Sequence, residues 1–275
     1  MLSRLTLIAL LSAAILCAQT QQPTRQPAQL KPIASQPVED LVDQLVANAS
    51  VYRANLPSLI VDEDIVSDLT ILGIYTKHAE AHATFRAIRK SDDSSLDESR
   101  EITILNGKPV RPGDHPLLPV VLFGGFGRFQ DMFFSPQHRP CFNFVLEPPN
   151  LRAPLQIDIT LKPTAATIPG CEHGLTGLTG IARIDPASGY LIHLERTIPA
   201  DIAAKFNHAT FGSVDSGPTQ LGDRIFWLPI IVTGDVIENK GKQKGRFTAY
   251  YSNYHRYTAT STILPITPTD PNPNL

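Results

Sequence analysis

The sequence is poor in the residues that usually announce chemistry. It has three cysteines, two methionines and one tryptophan in 275 residues, with a formal net charge of −2. So even a balance leaves no broad basic footprint for nucleic acid. No apolar run reaches the roughly 20 residues that a helix needs to span a bilayer. Residues 5–17 are uncharged, follow the early Arg4 and give way to a Gln/Pro-rich stretch. That layout predicts a secretory signal peptide over residues 1–18, an exported (periplasmic or secreted) product and a mature chain with no transmembrane segment. Cleavage is expected after Ala18; a lipid anchor on Cys17 is the competing form of processing.

Catalytic motifs are also missing. Gly124-Gly125-Phe126-Gly127 has no Lys-Ser/Thr after it, as a phosphate loop requires. The stretch Gly212-Ser213-Val214-Asp215-Ser216-Gly217 lacks the spacing of a nucleophile elbow and reads as a turn. His78, Glu80 and His82 fall on one face of a strand, but at ~3.3 Å per residue the two histidines are about 13 Å apart, too far to share an ion. Asp62, Glu63, Asp64 and Asp68 alternate between both faces and read as a solvated edge. Neither a metal site nor a cofactor is expected. Lys240, Lys242, Lys244 and Arg246 form the one dense basic run, with glycines interleaved, and read as a solvated hairpin loop rather than an anionic-lipid or nucleic-acid contact.

With the leader removed, Cys141 and Cys171 remain in an oxidising compartment, where a disulfide is expected. The alternative is two unrelated small core residues. A bond closing a loop of about 30 residues stabilises by roughly 3–4 kcal/mol in the chain-entropy account.

What is present is β-pattern after a single helix. Residues 19–36 are Gln/Pro-rich and predict a disordered linker. From Val38, apolar residues Leu41, Val42, Leu45, Ala49 and Tyr52 keep helical spacing, with Glu39 and Asp40 in the first turn and Pro57 as the stop. Asn48-Ala49-Ser50 matches a glycosylation sequon but lies inside this helix. Period-two alternation then marks strands over residues 58–70, 78–88 and 155–162, with further strands at 142–146, 225–232, 245–254 and 257–264. Asn106-Gly107 is a two-residue hairpin signal, and Asp185-Pro186-Ala187-Ser188-Gly189 predicts a second turn. Pro229 within a strand indicates an edge or a bulge. Short helices are expected at 128–134, ended by Ser135-Pro136, and at 200–206. The pattern predicts an α+β, mainly β fold, a curved antiparallel sheet with helices on one face, as a single domain over 37–264 followed by a flexible tail, 265–275.

The N-terminal helix, the strand pair around Ile184-Asp185-Pro186-Ala187-Ser188-Gly189-Tyr190, and the run Phe226-Trp227-Leu228-Pro229 with Tyr250-Tyr251-Ser252-Asn253-Tyr254 resemble the periplasmic lipoprotein-carrier and lipoprotein-sorting fold. That fold also serves as the sensor domain restraining an envelope-stress anti-sigma factor. The exit Asn55-Leu56-Pro57-Ser58 is similar to that of a group of uncharacterised exported bacterial proteins. The resemblance implies a half-barrel whose concave apolar face is covered by helices and can hold acyl chains. It transfers no binding residue to a numbered position.

The expected function is therefore a non-enzymatic binding or carrier role, with a lipid or other amphipathic molecule as ligand or an envelope protein as partner. Phe126, Phe129, Phe133 and Phe134, behind a glycine-rich entry, are the candidate lid of an apolar cleft. The plainer alternative is that these rings fill the core. An envelope interaction or sensor module and, less favoured, a secreted hydrolase are the competing functions.

Overall fold

Pro37 opens helix α1 (Val38–Asn55), which buries Leu41, Val42, Leu45 and Ala49 and carries Glu39 and Asp40 at its positive end and Arg53 at its negative end. In this computed structural model the described residues are 37–90, 96–111, 113–122, 126, 128–148, 154–171, 177–206, 209–238 and 241–257. The signal peptide, linker and tail expected from the sequence lie outside them, as do most of the strand expected at 257–264 and Gly124, Gly125 and Gly127.

Among the described residues eleven strands follow α1: β1 (Leu59–Ile71), β2 (Tyr75–Arg89), β3 (Leu96–Leu105), β4 (Lys108–Pro109), β5 (Phe142–Leu146), β6 (Leu155–Leu161), β7 (Thr179–Ile184), β8 (Leu191–Thr197), β9 (Ala209–Leu221), β10 (Arg224–Glu238) and β11 (Gln243–Arg256). Helix α2 (Arg128–Phe134) precedes β5, and α3 (Ala200–Phe206) lies between β8 and β9. All the strands join one sheet in the order β4-β3-β2-β1-β11-β10-β9-β8-β7-β6-β5. Every neighbouring pair is antiparallel. The sheet is curved and unclosed, so one concave face must be covered.

Alternation sorts the side chains. On β1 and β2 the inward residues Leu59, Val61, Ile65, Ala79, Ala81, Ala83 and Phe85 are buried. The outward face is polar, and three histidines there pair with the aspartate directly opposite: His82 with Asp64, His78 with Asp68, and His193 with Asp215. The concave face holds two apolar lobes. One gathers α1, α2 and β5–β8; the other gathers β1–β2, β9–β11 and Phe126. Phe129 packs against both.

The described residues between Leu118 and Phe134 form a strap across this face, in a trough made of glycines. Gly234 stands opposite Gly212, Gly212 opposite Arg196 and Arg196 opposite Gly180, so the three strands β10, β9 and β7 each present no side chain at the same level. A Cβ on Gly234 would meet Leu122 at 2.2 Å, one on Gly212 would meet Phe129 at 3.1 Å, and one on Gly180 would meet Phe133 at 2.5 Å. On β11, Gly245 similarly admits Val120 at 2.3 Å. Ser67 ties the strap at its other end, its hydroxyl donating to Val120 O at 2.9 Å and accepting from Val120 N at 2.8 Å.

Several expectations are corrected. The stretch Gly212–Gly217 is not a turn but the middle of β9; its glycines make room for Phe129 and Ile230. Strand β1 is not an edge, because β2 and β11 flank it. Glu63 is not solvated: it is fully buried and paired with Arg100. The strand expected at 245–254 runs two residues further, to Arg256. Pro229 does mark a bulge, with a register shift between Pro229 and Ile231 that lets a proline sit in a central strand.

Two turns share one backbone signature. Asn106 and Gly107 have φ of 49° and 73°, and Leu72 and Gly73 have 54° and 69°. Asparagine and glycine suit such a turn. A leucine there costs roughly 1–2 kcal/mol.

Candidate functional site

The outer flank of α1 does not meet the sheet directly. Asn48, Val51, Tyr52 and Asn55 face the β7–β8 turn, which brings Tyr190 and Leu191, and the start of β10, which brings Arg224 to Trp227. Gln130 and Phe134 of α2 form the floor. The result is a groove of about 290 Å³, near the lower end of the roughly 300–1,000 Å³ typical of ligand sites. Its lining is mainly apolar. The rings of Tyr190 and Trp227 stack at 5.4 Å with an interplanar angle of 19°. Val51 and Ile225 remain 60% and 63% exposed, an open apolar lip.

Polar groups sit at the rim and in the depth. Arg224 reaches Asn55 Oδ1 with Nη1 at 3.4 Å, leaving a guanidinium at the mouth that can meet a carboxylate or phosphate. Tyr52 is deeper; burial, reinforced by the charges of Glu98 and Asp131, pushes its phenol well above the ordinary tyrosine range. It is therefore a neutral hydrogen-bonding group, not an acid or base at neutral pH. Arg53, next along the helix, pairs with Asp131 of α2. Burial outweighs the pairing and raises the Asp131 carboxyl above its usual value.

The disulfide forms as expected. Cys141 and Cys171 are bonded with Cα atoms 5.5 Å apart and a separation of 30 positions in sequence. Both are buried in the lobe beneath α1. The bond holds the turn after α2 to the chain that follows β6.

The four phenylalanines expected to form a lid do not surround one cavity. Phe126 stacks on Phe85 at 5.0 Å and meets Tyr251 edge-on at 5.1 Å, in the β1–β2–β11 lobe. Phe133 and Phe134 belong to the other lobe, packed on Phe142 and Phe144 at 5.1 and 6.1 Å. Phe129 lies between the lobes, over the guanidinium of Arg196 at 5.6 Å. Phe134 alone of the four lines the groove. Tyr190, Arg224, Ile225 and Trp227 were not singled out as site residues, although aromatic and aliphatic residues bordering a glycine-marked hairpin turn are a readable signal.

A second, broader depression of about 710 Å³ lies beside β3, between Arg100–Thr103 and the chain from Val110 to Val121. Its walls are more exposed, and Leu117 there is 90% exposed. Among the described residues, neither place brings catalytic groups together. His193 is held by Asp215 and, at 2.6 Å, by Glu195, but on the outward face and away from both hollows. Among the described residues no group of three or more His, Cys, Asp or Glu is placed to hold a metal ion, and no helix is long and apolar enough to cross a membrane.

No family model matches the chain, and no curated protein matches it. Among solved structures it is similar to a LolA superfamily protein from Nitrosomonas europaea, with 8% identity over 80% of this chain and 94% of that one at a TM-score of 0.35. It is similar to a putative outer membrane lipoprotein-sorting protein domain from Vibrio parahaemolyticus at 8% identity, over 82% and 95% of the two chains, with a TM-score of 0.37. A DUF1329 family protein from Desulfovibrio piger gives 9% identity over 82% and 96%, with a TM-score of 0.33. The superpositions are loose, and it is the chain's own curved, unclosed antiparallel sheet, covered by helices on its concave side, that matches the arrangement the lipoprotein-carrier resemblance implied.

Proposed function

We propose that the protein is an exported, non-enzymatic carrier of an amphipathic ligand, whose apolar chain lies in the groove between α1 and the hairpin ends and whose anionic head meets Arg224. The observation that carries this reading is the stacked Tyr190–Trp227 pair facing the exposed Val51 across an apolar hollow. Burial of apolar area at ~25 cal/mol per Å² supplies the binding energy, and one guanidinium orients the head. The segment Phe129–Phe134 underlies the groove, and lifting it from the glycine trough would extend the hollow into the sheet.

Trp227 is the single tryptophan in the chain, so its fluorescence reports this groove alone. Titration with a brominated fatty acid is expected to quench it saturably, and Val51→Asp is expected to weaken binding about tenfold without a matching fall in Tm. A correctly folded protein that shows no saturable quenching by any acyl probe would remove the carrier reading. The second reading, an envelope interaction module, is favoured by the complete burial of Phe126, Phe133 and Phe134, which fills the concave face. Strand β5, at one end of the sheet, would then be its docking edge.

A further inference from the structure

At the far end of β10 from the groove, two hairpin tips meet. Leu72 N donates to Lys242 O at 2.7 Å, so the β1–β2 tip is fastened beside the β10–β11 tip. The first tip is apolar and open: Leu72, Ile74 and Tyr75 are 62%, 88% and 58% exposed. None of the three serves the core. Leucine also occupies the positive-φ position that asparagine holds in the matching turn at Asn106-Gly107, so the chain keeps an apolar side chain at a place where local conformation favours a polar one.

The charge around this tip is mainly positive. Lys77, Lys242 and Lys244 are exposed there, against one acidic position, Glu238, in the last three rungs of β2, β1, β11 and β10. One step further along, Asp68 is bonded to His78 at 2.7 Å and Asp235 to Arg246 at 2.7 and 3.0 Å. Aliphatic residues at an extreme tip, a tyrosine behind them and lysines around the base match the layers of a bilayer surface: acyl chains, interface and anionic headgroups.

We infer that this end of the sheet docks on the surface of an anionic lipid bilayer, with Leu72 and Ile74 entering the interface and Lys77, Lys242 and Lys244 meeting the headgroups. The docking is independent of the groove. Tip and groove lie at opposite ends of β10, whose 15 residues span roughly 50 Å at ~3.3 Å per residue, so a docked protein holds the groove mouth away from the bilayer.

The test is co-sedimentation of the purified exported protein with vesicles of phosphatidylglycerol and phosphatidylcholine, compared with phosphatidylcholine alone. At low salt the anionic vesicles are expected to bind on the order of 100-fold more tightly, from a factor of about five for each lysine, and the preference should shrink at 0.5 M salt. Leu72→Asn with Ile74→Ser should reduce binding to anionic vesicles at least tenfold. Leu72→Asn alone should hold or raise Tm, because it places the turn-favoured residue, so lost binding cannot be ascribed to unfolding. Lys77→Ser with Lys242→Ser and Lys244→Ser should remove the salt-sensitive part only. Equal binding to both vesicle types, or tip variants that bind like the wild type, would overturn the inference. So would sedimentation velocity showing that the tips instead join two copies of the chain. Acyl-probe quenching of Trp227, measured on the same variants, should be unchanged, which separates failure of this inference from failure of the groove.

Discussion

Removing the charge of Arg100 should destabilise the fold more than most single core truncations. Glu63 is fully buried at the centre of β1 and accepts two hydrogen bonds from Arg100, one of them from Nη2 at 2.7 Å, and a third from the Tyr251 hydroxyl at 2.8 Å. The guanidinium is packed between the rings of Phe85 and Phe247, at 5.5 and 5.2 Å, and Nη2 also donates to Leu122 O at 3.3 Å. Burial opposes its charge, but the hydrogen bonds and charge of Glu63 prevail and carry its pKa above the ordinary arginine value. Arg100→Met keeps the packed stem and leaves a carboxylate in an apolar interior. Breaking one side of such a pair costs about 3–5 kcal/mol. Adding Glu63→Leu should recover much of this, and adding Tyr251→Phe should recover part of the rest, since an orphaned buried hydroxyl costs about 1–3 kcal/mol. Urea unfolding followed by Trp227 fluorescence and far-UV circular dichroism measures each step. The reasoning fails if Arg100→Met costs less than about 1 kcal/mol, or if the triple variant is no more stable than the single one.

Gly180→Ala should lower stability by about 1–3 kcal/mol, because the new Cβ would meet Glu195 O, a backbone atom, at 2.8 Å as well as Phe133 at 2.5 Å; an unchanged urea midpoint would show that the strap is not seated in the trough. The hydrogen bond that His78 donates to the Asp68 carboxylate raises the pKa of His78 against a smaller opposing effect of burial. Its contribution to stability is therefore full below the unfolded value of about 6.5 and fades as pH rises through the higher folded value. Proton NMR of the imidazole should show the raised midpoint, and Asp68→Asn should lower it; a midpoint that does not move would assign the shift elsewhere.

The elements that were legible in the sequence are those set by local rules. Asn106-Gly107 makes its turn because both residues tolerate positive φ, and Pro229 makes its bulge because it cannot donate to a ladder. The disulfide followed from redox compartment and cysteine count. What escaped depends on distant neighbours. Gly212 and Gly217 carry the local signature of a turn, yet each is small because a ring or an isoleucine from elsewhere lies on it. Glu63 belongs to an acidic alternation that reads as solvated, and only the arrival of Arg100, 37 residues away, explains its burial. The groove has the same origin, since α1, the β7–β8 turn and β10 converge from three separate parts of the chain.

The strand order has a consequence for how the molecule is made. Strands β1–β4 form one run of hairpins and β5–β10 another, and the two are joined in the sheet only through β11, which pairs with β1 on one side and β10 on the other. Closing that seam brings together residues nearly 200 positions apart, as in Leu59 opposite Arg256, which makes it a slow, high-contact-order event. Until the last described strand arrives, β1 and β10 present two long unpaired edges, of 13 and 15 residues. A chain in this state is sticky towards its own copies. The newly made protein should therefore depend on a holding chaperone up to the moment β11 inserts, and truncation within residues 243–256 should yield aggregates rather than two half-sheets.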